Sequence, residues 1–97
     1  MTLNYEPNRI YLDNEDGKLI AEVTFPMIRS DLVDVTRTFV DKSLRGQGIA
    51  DKLMAALANK LGGEGKKAYC SCPYAERWFA KHPEYAHIYI ITIPDSE

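Results

Sequence analysis

At 97 residues the chain has length for one hydrophobic core, and folding at that size buries a little over ~60% of the unfolded surface. An apolar fraction of 45% beside 27% charged residues excludes a disordered or fibrous chain. A formal net charge of -2, with Lys and Arg thinly spread, excludes the concentrated positive field that holds nucleic acid by counterion release. No apolar run reaches the ~18 residues of a membrane span, and the opening Met1-Thr2-Leu3-Asn4-Tyr5-Glu6 has neither a basic nor an apolar leader region. The expectation is a cytoplasmic protein forming one compact domain over residues 1–97.

Arg9 to Asp13 reads as a short strand with Ile10 and Leu12 on one face, closed by the hairpin chemistry of Asn14-Glu15-Asp16-Gly17. Lys18 to Ile28 returns as a longer strand, and Pro26 marks an edge or bulge near its end. After a turn at Ser30-Asp31, Leu32 to Val40 alternates again, so three antiparallel strands form a meander. From Gly48 the period becomes helical: Ile49, Leu53, Leu57 and Leu61 recur every four residues with Ala50, Met54 and Ala58 beside them, and Gly62-Gly63 supplies a stop. Lys67 to Cys72 reads as a fourth strand, Tyr74 to Lys81 as a short helix ending before His82-Pro83, and Tyr85 to Ile93 as a last extended stretch. The order β-β-β-α-β-α-β is an α+β fold, and the crossover through the long helix places strands three and four parallel in one sheet.

The chemistry concentrates where the third strand meets the long helix. The first amides of a helix lack intrahelical acceptors and sit at the positive end of its dipole, so a helix start attracts anions. Here Gly46 and Gly48 remove the Cβ atoms that keep a phosphate from the backbone, Gln47 and Ile49 can offer N–H groups, and Arg45 adds a bidentate charge at the rim. Two glycines could instead make only a tight turn. The string lacks the Lys-Ser or Lys-Thr of a P-loop and the third glycine of the dinucleotide fingerprint.

Leu44-Arg45-Gly46-Gln47-Gly48-Ile49-Ala50 resembles the Gln/Arg-x-x-Gly-x-Gly/Ala signature of the GCN5-related N-acetyltransferases. Cys72-Pro73-Tyr74 followed by His82-Pro83-Glu84-Tyr85 resembles the compact branch of that superfamily, of roughly a hundred residues, and the likeness runs from about Leu19 to Tyr89. The resemblance implies a GNAT-like α/β domain in which Arg45, Gly46, Gln47, Gly48, Ile49 and Ala50 bind the pyrophosphate of acetyl-CoA. It implies too that Thr38, Phe39 and Val40 hold the pantetheine arm on a strand that splays from its neighbour. Two departures stand out: Arg37 occupies a place where many relatives carry His, and the N-terminal helical substrate region of larger members is missing.

For catalysis the resemblance points to Cys72, as acetyl acceptor or as acid toward departing CoA, and to Tyr74 as general acid. Cys72 precedes a helix start, a setting that suits a thiolate, although a free Cys is as readily a small packing residue. Cys70, on the same face of the strand, has no counterpart and reads as packing, and a disulfide between such near neighbours is strained. A zinc site from Cys70, Cys72, His82 and His87 is disfavoured, because Cys-x-Cys is tighter than the usual ligand spacing. Trp78, Phe79, Tyr85, Tyr89 and Ile91 read as packing over the sheet. The expected activity is acetyl-CoA-dependent transfer to a small or peptide amine, with a non-catalytic acyl-CoA-binding or sensing module as the alternative. The expected partners exclude nucleic acid and membrane, and the expected state is a monomer or weak homodimer.

Overall fold

The computed structural model describes residues 2–93. Its elements are β1 (Asn4–Glu6), β2 (Arg9–Asp13), β3 (Leu19–Thr24), β4 (Met27–Arg29), β5 (Leu32–Val35), β6 (Arg37–Val40), α1 (Ile49–Glu64), β7 (Lys67–Cys70) and α2 (Pro73–Ala80), with 3-10 turns at Lys42–Leu44 and Pro83–Tyr85. The expected meander is present, with β1 added at its outer edge. That strand is exposed along its whole length, so no apolar alternation announces it.

Each of the two longer expected strands is broken once, and the breaks face each other. Phe25-Pro26 separates β3 from β4, since proline has no N–H to give the ladder. Thr36 separates β5 from β6. Across the breaks the Thr36 amide still bonds the Thr24 carbonyl (3.0 Å) and the Asp34 amide the Pro26 carbonyl (2.9 Å), so the sheet folds without leaving these groups orphaned. Two sheets result, in the orders β1-β2-β3-β6 and β4-β5-β7. β5 and β7 run parallel, as a crossover through a helix requires.

In the first sheet Ile10, Val23 and Thr38 share one row and Leu12, Ala21 and Val40 the next. This face receives α1, whose Leu53, Met54, Leu57 and Leu61 are sealed from water. The opposite face carries Tyr11, Glu22 and Phe39. Glu22, only 7% exposed, is clamped by Arg9 and Arg37, which supply the partners a buried carboxylate requires. Arg37, the departure from the family pattern, is thus occupied with a neighbouring strand.

Two expectations are corrected. The long helix does not stop at Gly62-Gly63; it continues to Glu64 and ends at Gly65, whose φ of 68° is left-handed, while the Lys66 amide bonds back to Leu61 (2.9 Å). Gly62 sits beneath Ile88, where a β-carbon would come 3.5 Å from Ile88 Cδ1, an ordinary packing contact, so neither glycine of the pair ends the helix. The stretch Tyr85 to Ile93, and with it the possible last strand, is a turn followed by a single bridge. Only Ala68 and Tyr89 pair, through Ala68 N–H to Ile88 (2.9 Å) and Ile90 N–H to Ala68 (2.8 Å). The segment is held by side chains: Ile88 is buried and the Tyr89 ring stacks on Phe79 at 5.0 Å.

The helix end predicts opposite effects from like substitutions. Gly63→Ala, at a helical position with open space around a new β-carbon, should stabilise the fold by about 0.5–1 kcal/mol. Gly65→Ala should destabilise it by about 1–2 kcal/mol, because it forces a side chain into the left-handed region. Urea denaturation of the two variants checks this, and equal effects would return the stop to Gly62-Gly63.

Candidate functional site

Past β6 the chain is anchored by Asp41, whose carboxylate accepts from Ser43 Oγ (2.6 Å) and Ser43 N–H (3.1 Å) and is held below its ordinary range by those two bonds in that order. The Arg45 amide bonds Lys42 (3.4 Å), and the backbone then turns through two left-handed glycines, Gly46 (φ 85°) and Gly48 (φ 75°). Among the described residues no backbone N–H from Gly46 to Asp51 has an acceptor in the chain; the first to bond is Lys52, to Gly48 (3.1 Å). Donors and the positive end of α1 therefore converge on one spot.

That spot opens into a cleft of about 250 Å³ lined by Val40, Leu44, Arg45, Gly46, Gly48, Ile49, Ala50, Asp51 and Tyr74. Its far wall is the start of α2. The Tyr74 phenol is pushed up from its ordinary range by burial first and by Asp51 second, so it stays protonated at neutral pH.

At Val40 the cleft borders a fork between strands. β5 pairs with β7 up to Val35–Cys70, and one further rung joins Cys72 N–H to the Val35 carbonyl (3.0 Å). Beyond it β6 pairs only with β3. Because Asp41 gives its amide to Ile20 (2.8 Å), ladder alternation aims the N–H and C=O of Phe39 at β3 and those of Thr38 and Val40 at the open side. Arg45 Nε reaches the Val40 carbonyl at 3.4 Å. Cys72, 8% exposed, is the N-cap residue of α2 but makes no side-chain capping bond; its Sγ faces Thr38 Oγ1 across the fork at 3.6 Å.

The structure thus brings Val40, Arg45, Gly46, Gly48, Ile49, Ala50 and Tyr74 together, with Thr38 and Cys72 meeting deeper in the fork. Gln47 is exposed and outside the cleft lining, and Phe39 turns to the opposite face beneath the Arg37 guanidinium, 5.0 Å from its ring centre. Sequence reasoning missed Leu44 and Asp51 as lining residues. An Asp in a first turn is favourable in any helix, so its type gave no signal. Asp51 accepts from Trp78 Nε1 at 2.7 Å.

Cys70 behaves differently from a reactive thiol. Burial, with lesser contributions from Cys72, Asp34 and Glu76, pushes it up from 9.0 to about 12. An unfolded chain releases that proton at lower pH than the folded one, so the thiol contributes stability below pH 9 that is lost as pH rises toward about 12. Urea titrations should show wild type losing stability relative to Cys70→Ala across that interval, and a constant difference would refute the burial effect.

A family model described as GCN5-related N-acetyl-transferase matches residues 9–88, from β2 through buried Ile88. The chain belongs to the GCN5-related N-acetyltransferase family. That is a family of acetyl-transferring enzymes, and the two helices and two sheets of the described residues are arranged as in solved GNAT proteins. The NMR structure of a GCN5-like N-acetyltransferase candidate from Staphylococcus aureus aligns with a TM-score of 0.79 at 23% identity, over 95% of this chain and 90% of that one. A Mycobacterium tuberculosis protein crystallised with CoA aligns at 0.61 and 20% identity, over 78% of this chain and 47% of that one. An acetyltransferase candidate from Agrobacterium tumefaciens aligns at 0.59 and 29% identity, over 79% and 56%. The chain thus spans nearly all of the first and about half of the other two. Comparison with curated proteins gives no significant match. No helix among the described residues is long and apolar enough to cross a membrane.

Proposed function

We propose that this GNAT-family chain transfers the acetyl group of acetyl-CoA to an amine nitrogen. The turn Arg45 to Ala50 holds the pyrophosphate, and the open edge of β6 at Thr38 and Val40 holds the pantetheine arm. The observation that carries this reading is that the unpaired amides at the start of α1 and the open strand edge at Val40 line one cleft. The first suits an anion and the second an extended amide chain. The glycines fit the same group, since a β-carbon at Gly46 or Gly48 would enter open space and strain a left-handed backbone.

Bound there, acetyl-CoA supplies an activated thioester carbonyl. The protein contributes mainly position, fixing the thioester at the fork where an amine can reach it. The amine nitrogen bonds to the carbonyl carbon, the carbon–sulfur bond breaks with its electron pair going to sulfur, and the nitrogen passes its surplus proton to water. Tyr74, kept protonated by burial and by Asp51, donates a proton to the departing thiolate. Cys72 serves at the inner end of the fork, as a transient acetyl acceptor through Sγ or as the proton donor in place of Tyr74. A non-catalytic acyl-CoA-binding module is the second reading, favoured by the near-complete burial of Cys72 and by the extra length of larger GNAT structures.

Gly48→Val should weaken CoA binding roughly tenfold or more, measured by calorimetry, because it adds a branched side chain where the phosphate and the left-handed turn need none. Unchanged affinity would remove the turn from the site. Mixing the protein with acetyl-CoA and then an amine separates the two readings by mass spectrometry. Enzyme action predicts an acetylated amine, preceded by an acetyl adduct on Cys72 if sulfur is the acceptor. Tight CoA binding with no transfer to any amine supports the binding module.

A further inference from the structure

Asp51 poses an electrostatic problem for the site just described. It lies in the first turn of α1, beside the unpaired amides, and lines the same cleft with its side chain 58% exposed. A carboxylate there favours the helix but opposes a bound pyrophosphate. Its Oδ1 is drawn toward α2, to Trp78 Nε1 at 2.7 Å and His82 Nε2 at 3.6 Å.

His82 is fixed on three sides. Its Nδ1 lies 3.0 Å from Glu84 Oε2, its Nε2 faces Asp51, and its ring stacks on the Trp78 indole with centres 4.0 Å apart. Tyr85 stacks on Trp78 as well, at 5.5 Å. A neutral imidazole carries one N–H and can serve only one of two carboxylates, whereas the imidazolium serves both. Glu84 is held below its ordinary range first by this His82 bond. Ionisable groups on α2 and its cap also include Tyr74, which feels Asp51, Arg77, which acts on Tyr74 in the opposite sense, Glu76, and Lys81, next to His82 in the chain.

We propose that His82 is a positioning residue for the CoA site: with Trp78 it holds the Asp51 carboxylate toward α2, and as the imidazolium it cancels the charge that would repel the pyrophosphate. This rests on the CoA assignment above. It makes binding of the anion depend on pH through a residue outside the cleft. Affinity is greatest while His82 is charged and falls once it is neutral, because the imidazole then has a single N–H to share between Asp51 and Glu84.

The test is calorimetric titration of dephospho-CoA, which lacks the phosphate monoester that itself titrates near about pH 6 and so keeps a constant charge. Wild type, His82→Gln, Asp51→Asn and the double variant are compared at about pH 5.5 and about pH 8. Wild-type affinity should fall about fivefold between the two pH values, the scale of one partly exposed ion pair. His82→Gln should be weak and independent of pH, while Asp51→Asn should bind tightly at both values, and the double variant should recover the Asp51→Asn affinity. A merely structural His82 would leave the double variant as weak as His82→Gln, which overturns the inference. So does a wild type that binds equally at both pH values. Should His82→Gln fail to fold, a pH dependence that persists in Asp51→Asn overturns it independently. A wild type that binds no dephospho-CoA at either pH overturns the CoA assignment, and this inference with it.

Discussion

A single backbone bond, from the Cys72 amide to the Val35 carbonyl, is the last rung between β5 and the segment that follows β7. Up to that rung β5 and β7 are ordinary parallel neighbours. Past it β6 stays with β3 while the other chain leaves to start α2, so the strand edge at Thr38 and Val40 is left open. An unpaired edge is normally a liability in a sheet. Here it faces the glycine turn and the Cys72 sulfur, and the geometry of the site follows from keeping that edge unpaired.

The fork is held open by packing on both sides. Pro26 and Thr36 interrupt the two central strands at matching places and divide the meander between two sheets, while the Asp34 and Thr36 amides still find acceptors. On the helix side, Trp78 links the two helices by bonding Asp51 and stacking between His82 and Tyr85. That link carries the start of α2, and with it Tyr74 and Cys72, against the first turn of α1. The Pro83 turn thus contributes to the cleft although none of its residues lines it.

Electrostatics near the cleft are balanced between elements. The amides of Gly46 to Asp51 and the Arg45 guanidinium favour an anion, Asp51 disfavours one, and the groups that draw Asp51 aside lie on α2 and the turn after it. Glu22 on the opposite face illustrates the same economy of charge, with one buried carboxylate between two arginines of neighbouring strands.

Local signals in the chain specify the hairpin of β2 and β3, the four-residue spacing that makes α1, and the glycines whose left-handed backbone shapes the turn at Arg45 to Ala50. The family likeness carried by that turn and by Cys72-Pro73-Tyr74 followed from the same local strings. Contacts between distant segments were not legible. Gly62-Gly63 has the composition of a helix stop, yet the left-handed Gly65 places the end at Glu64, three residues beyond Leu61. Tyr85 to Ile93 has the composition of a strand, yet burial of Ile88 and stacking of Tyr89 on Phe79 leave it one bridge. The direction of Phe39, the pairing of Cys72 with Thr38 and the place of Asp51 in the cleft depend on ladder register and helix packing. Those are set by which distant surfaces exclude water together once the chain has folded.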